Sequence, residues 1–277
     1  MMHQIKEGFA LATKSFALLK RYSFLLLYTL IPTLITIVID MGLYYFNSQE
    51  SQSPLLSGVS KLLYNIKTVP QWSLYFDVFI IFLETLVAVF CLAALVYHVM
   101  QIYNRNAISM TDSFRTIFHK GKTLTLWAII GTAETFLIQR LALLGNTSSF
   151  STLIPVLFFS FLIAAAWAFI TFLVIPIITF QNLSVTQAIC QSAIIVQNRF
   201  YVVLGCFIGI AAIIFMCYGI VALLCSIIQN YTLLFLCALL DIFARSIVAA
   251  TYGVLKTTMY RNYQQPDWLH VAQHSFE

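Results

Sequence analysis

Six stretches of the chain are apolar for so long that only one solvent suits them. Residues 23–46, 74–100, 124–144, 153–180, 200–228 and 231–255 each match the run of about 20 residues that carries an α-helix through a bilayer core. Inside hydrocarbon every backbone amide must find its partner within the segment or in a closed barrel. Barrel strands alternate in polarity over about ten residues, whereas these runs are continuously apolar. The sequence therefore predicts an all-α, polytopic membrane bundle of six transmembrane helices, with 1–277 as a single integral membrane domain. The third run is the least regular, because Glu134, Gln139 and Arg140 interrupt it.

Composition closes off most other classes. Only 9% of residues are charged and the mean hydropathy is +0.89, against about 25% charged in a globular chain, so no stretch remains for a separate soluble catalytic domain. The net charge of +5 does not point to nucleic acid, because its sources flank apolar runs and form no aromatic-laced basic patch. Lys6, Lys14, Lys20, Arg21, Arg105, Arg115, Lys120, Lys122, Arg199, Lys256 and Arg261 lie in one alternate set of flanks, and only Lys61 and Lys67 in the other. By the positive-inside rule both termini are expected in the cytoplasm, with 256–277 as a cytoplasmic tail. The N-terminus shows no small-residue cleavage site and is expected to stay attached. Cys91, Cys190, Cys206, Cys217, Cys225 and Cys237 contain no C-x-x-C pair and suggest neither disulfides nor zinc.

Three polar-flank segments share one design. ISMTDSF at 108–114 and LSVTQAI at 183–189 each place a serine three residues before Asp112 or Gln187, the spacing of a capping box. At the N-terminus (1–22) Ile5, Phe9, Ala12, Phe16 and Leu19 recur at helical spacing while Lys6, Thr13 and Lys20 mark another face. Interfacial amphipathic helices are expected near 4–20, 109–120 and 184–197, each ahead of a hairpin of two spans. A further amphipathic helix is expected in the outer loop, from Leu55, Val59, Leu62 and Ile66.

Ionisable groups within hydrocarbon are expensive, so those present should face the bundle interior, a partner or water. Asp40, Asp77, Glu84, Glu134, Arg140, Asp241 and Arg245 are such groups. Asp77, Glu84, Cys91 and His98 recur every seven residues and form one slowly drifting helical stripe; it could relay protons, and its plainer use is adhesion between helices. Asp241 and Arg245 lie one turn apart and can neutralise each other. Glu134 and Arg140 point to different sides, which leaves a cross-helix pair of Glu134 with Arg245 open. Gly205 and Gly209 form a GxxxG pattern suited to close helix packing within the subunit or between copies. Pro155 and Pro176 are expected to mark the two ends of the fourth span. No catalytic site, cofactor or metal site is indicated: the sequence lacks H-E-x-x-H, G-x-S-x-G, P-loop and dinucleotide patterns, and His270 and His274 fall in the tail.

The stretch AWAFITFLVIPII at 166–178, followed by Ala188 and Ser192, resembles a family of bacterial six-span membrane proteins grouped as a domain of unknown function. The segments GFALATKSFALLK at 8–20 and GTAETFLIQR at 131–140 look similar too. Trp167, Thr171, Phe172, Val174, Pro176 and Ser192 carry the resemblance best, and it implies a bacterial cytoplasmic membrane without implying a reaction. Gln181 and Gln191 stand where the family tends to carry an acidic and a basic residue. The expected role is that of a non-enzymatic envelope protein acting through contact with membrane lipids or assembly with other membrane proteins or with itself. The alternative is a small transporter or a proton- or cation-conducting permease that uses the intramembrane carboxylates.

Overall fold

The computed structural model describes residues 1–49, 71–146, 150–227 and 231–263, and among these the chain is helical with no strand. The outer-loop helix expected around Leu55, the tail histidines and the side chains of Asp40 and Pro155 lie outside the described part. In chain order the helices are α1 (Met2–Arg21), α2 (Leu27–Gln49), α3 (Gln71–Tyr103), α4 (Met110–Phe118), α5 (Gly121–Asn146), α6 (Phe150–Ile170), α7 (Val174–Phe180), α8 (Val185–Asn198), α9 (Phe200–Ile227) and α10 (Tyr231–Tyr263). A short 3-10 turn, Ser23–Leu26, joins α1 to α2. As far as they are described, four of the apolar runs fall in one helix each; the first begins in the 3-10 turn and continues through α2, and the fourth falls in α6 and α7. By length and composition, three helical stretches among the described residues could cross a membrane: Asp77–Tyr103, Phe158–Phe180 and Phe200–Leu223. A fourth is added if α1 and Ser23–Ile39, bent by 102°, count as one broken span.

The capped starts follow from their serines. Ser184 Oγ accepts the Gln187 amide while the Gln187 side chain accepts the Ser184 amide, a complete capping box that satisfies donors the first turn of α8 would leave free. At α4 only half of the box forms. Ser109 Oγ accepts the Asp112 amide and donates to its carboxylate at 2.6 Å, because the Asp112 side chain is one carbon shorter than the glutamate or glutamine that normally reaches back.

α1 buries Gly8, Leu11, Ala12, Ser15 and Leu19 along one stripe and leaves Lys6, Lys14, Lys20 and Arg21 exposed. Its buried stripe does more than float among headgroups: it seats against α9 at backbone contact. A side chain on Gly8 would run into the Val202 carbonyl and the Cys206 amide, and one on Gly205 would run into the Ile5 backbone. Gly209 opens room for Ala12 and Phe9. The small-residue pattern of the fifth apolar run thus serves a contact within one subunit.

The fourth apolar run is not the continuous helix expected from hydropathy. It breaks at Thr171–Leu173, between α6 and α7. The cause is Pro176, which cannot donate to the Phe172 carbonyl and whose ring crowds it. The sequence reading had Pro176 mark the end of this span; it shapes a break inside it. Thr171 Oγ1 bonds back to Trp167 O at 2.8 Å, which also favours bending. The Leu173 amide freed by the break is taken by Ser192 Oγ of α8 at 3.1 Å, fully buried. Lys120 holds the other end of α7, its Nζ donating to Ile178 O and Gln181 O at 3.1 and 3.4 Å; partial burial lowers this ammonium's pKa. Phe172, Pro176 and Ser192 are therefore parts of one broken helix and its support. Trp167 stands one turn before the break and stacks on Trp127 of α5.

α3 is the central strut, in contact with α2, α4, α5, α7 and α10. Its Leu92 and Leu95 sit where Gly253 leaves α10 bare, and Tyr97 stacks on Phe180 of α7. The buried core runs from Leu11 and Leu19 through Leu95, Val96 and Val99 to Ile177, Val254 and Leu255.

Candidate functional site

Three helices, α2, α3 and α10, leave a half-open cavity of about 510 Å³ between them. α2 contributes Tyr28, Pro32 and the hydroxyl row Thr29, Thr33 and Thr36, which recurs at four and three residues because that spacing keeps one helical face. α3 contributes Ala88 and Leu92. From α10 come the Asp241–Arg245 pair, with Ile242, Ala249 and Tyr252 along the same wall. The walls are mainly apolar with a few convergent polar groups, the usual make-up of a small-molecule site.

The ion pair is an i, i+4 contact: Arg245 Nε donates to Asp241 Oδ2 at 2.8 Å. The two threonine protons nearest the floor go to backbone. Thr29 Oγ1 donates to Ser246 O at 2.8 Å, tying α2 to α10, and Thr33 Oγ1 donates to Thr29 O at 2.8 Å. Pro32 lies inside α2 on the same stretch and cannot donate to the Tyr28 carbonyl one turn before it.

Two polar networks border the cavity. At one edge Tyr28 OH lies 2.9 Å from His98 Nδ1, which in turn lies 3.0 Å from Ser113 Oγ. All three are buried, and they bind α2, α3 and α4 together. At the other edge Tyr252 packs edge-on to Phe172 at the break and lies under the Lys256 ammonium, whose Nζ is 4.1 Å from its ring centre. Lys256 was expected to mark a cytoplasmic flank, yet it is only 6% exposed. Helix α10 runs on past the apolar run to Tyr263 and turns that side chain into the junction with α6 and α7.

The other ionisable groups singled out from the sequence spread over the bundle. Arg140 sits 4.8 Å over the Phe136 ring and close enough to Asp77 to act on it electrostatically. Glu134 faces Trp167 and Tyr252. The Glu134–Arg245 pair left open by the sequence is not formed, because Asp241 lies one turn from Arg245 and holds it. Along the heptad stripe Asp77 is exposed, Glu84 half-buried, Cys91 a buried free thiol and His98 buried in its hydroxyl network. His98 therefore serves to join helices, with Nδ1 occupied on both sides. Among the described residues no three His, Cys, Asp or Glu side chains converge on a metal-sized site.

Sequence reasoning picked out Asp241 and Arg245 but missed the cavity they line. The signal was present in Thr29, Thr33 and Thr36, a hydroxyl stripe around a proline in an otherwise apolar run. Tyr28, Ser113 and Tyr252 had no local signal, since their importance comes from residues far along the chain. No protein family, curated protein or solved structure matches the chain.

Proposed function

We propose that this is a six-span protein of a bacterial cytoplasmic membrane, with both termini cytoplasmic, that works by lipid contact and not by catalysis. The observation that carries this reading is the cavity between α2, α3 and α10. It is half-open, large enough for part of a lipid and walled mainly by apolar side chains. The exposed basic face of α1, with Lys6, Lys14, Lys20 and Arg21, supports a contact with anionic headgroups beside it. The topology is checked by labelling single cysteines: one at Gln273 should react only from the cytoplasmic side and one at Ser51 only from outside. The reverse pattern would reject the assignment.

The function is tested on protein purified with its native lipid. Ala88 and Ala249 are small, exposed residues of the cavity wall, so Ala88→Phe with Ala249→Phe fills the space without overpacking the core. Mass spectrometry should find a lipid-type molecule retained in stoichiometric amount by the natural protein and lost from the filled variant. Equal retention by both would sink the reading. A polar solute retained in place of the lipid would favour a small transporter, a reading that draws its support from the Asp241–Arg245 pair inside the cavity.

A further inference from the structure

Arg245 stands near the middle of α10, at a depth where a cation is costly unless an anion or water meets it. Its engagement is partial. Only Nε is used, by one oxygen of Asp241, and among the described residues the two terminal nitrogens make no hydrogen bond. The side chain is 59% exposed, against 33% for Asp241, and it opens onto the cavity. The edge formed by those two terminal nitrogens is a parallel pair of N–H donors, the shape that accepts both oxygens of a carboxylate.

We infer that the cavity between α2, α3 and α10 binds a singly charged, single-chain amphiphile, its carboxylate on the free edge of Arg245 and its chain along Ala88, Leu92 and Ile242. This rests on the reading that the cavity holds a lipid-type molecule, and it narrows that molecule's class. Charge favours a monoanion over a dianion, because Arg245 and Asp241 already sum to zero, so that a carboxylate adds one negative charge to an apolar space where a dianionic phosphate would add two. Hydrogen bonding offers little to a sugar or polyol head, because Thr29 and Thr33 direct their protons to backbone carbonyls and leave Thr36 as the one threonine of the row with a proton for the cavity. Size agrees: about 510 Å³ lies within the range of about 300–1,000 Å³ for single small ligands.

The test uses the full chain in maltoside micelles with dodecanoate as the probe, and dodecanol and dodecyl phosphate as comparisons, read by calorimetric titration. Dodecanoate should bind one per chain and more tightly than either comparison. Arg245→Gln should weaken it by on the order of tenfold or more, the loss expected for hydrogen bonds to a charged group. Arg245→Lys keeps the charge but not the fork and should fall between, which guards against a variant that simply misfolds. Asp241→Asn removes the competing carboxylate and should tighten binding. Equal affinity for dodecanol, tighter binding of dodecyl phosphate, or an Arg245→Gln variant that binds dodecanoate normally would each overturn the inference. If dodecanoate fails while Ala88→Phe with Ala249→Phe still expels a co-purified lipid, this inference falls and the lipid-contact reading stands. If neither responds, both fall.

Discussion

Gly8→Leu should prevent the chain from reaching its native packing, and it should do so although the substitution is apolar and lies in the first helix. The atoms that a side chain at residue 8 would meet are the Val202 carbonyl, the Cys206 amide and the Gly205 carbonyl carbon, all backbone. A flexible side chain can swing aside, but a helix backbone moves only as a unit. The cost therefore exceeds the roughly 1–3 kcal/mol typical of overpacking a core of side chains. Gly205→Leu should fail in the same way from the other side, since its side chain would enter the Ile5 backbone. Gly219→Leu is the matched control, because nothing lies within 4 Å of the position its Cβ would take. Size-exclusion profiles of detergent-extracted protein check this: the Gly8 and Gly205 variants should aggregate or elute early while the Gly219 variant elutes as the natural protein does. A normal profile and unchanged thermal midpoint for Gly8→Leu would show that α1 does not seat on α9.

The second large effect comes from Lys256. Its ammonium is buried, it lies over the rings of Tyr252 and Phe172, and among the described residues it has no hydrogen bond or ion pair. Burial pushes its pKa down to about 7 from an ordinary 10.5. The sign follows from proton counting: between those two values the unfolded chain holds a proton that the folded chain has released, so stability rises with pH across that window. Below about 7 the full cost of burying the cation is present, and above about 10.5 it has vanished. Converted at 1.36 kcal/mol per pH unit, the cost is on the order of a few kcal/mol, which the cation–π contact with Tyr252 already partly offsets. Lys256→Met keeps the volume and removes the charge. It should raise the melting midpoint at pH 7 and abolish that part of the rise in midpoint between pH 7 and 10. Melting curves of the two proteins in one detergent at a series of pH values measure the difference, and superimposable profiles would mean that water or headgroups reach the Lys256 amine.

These residues also show what could be read from sequence. Helix positions were legible, because hydropathy and the serine caps act locally: 184–197 is Val185–Asn198, and 109–120 contains Met110–Phe118. The break in the fourth run was half legible, since Pro176 announced a disturbance but its direction depends on Ser192 and Lys120, which reach it from other helices. Lys256 read as a cytoplasmic-flank charge because flanking position is all that a sequence reveals of a lysine; its burial results from the way α10 continues beyond the apolar run. The cavity was legible only in part, through the hydroxyl row Thr29, Thr33 and Thr36. Its walls come from Tyr28, Ala88 and Arg245, which no local pattern connects. The Gly205–Gly209 pattern announced close packing, and only Ile5 and Gly8 named the partner.

The seat of α1 on α9 also sets an order of assembly. The chain emerges from the ribosome with Gly8 early and Val202 and Gly205 late, so the first helix is made long before the surface it fits exists. At about 5–20 residues per second that wait lasts on the order of 10 s or more. During it the Gly8 stripe, shaped for another backbone, has only lipid or a waiting chaperone against it. A contact that forms late is thus one of the tightest, and it joins helices far apart in the chain. A product that stops before the fifth apolar run would keep a bare first helix, a ready signal for quality-control proteases that the chain is unfinished.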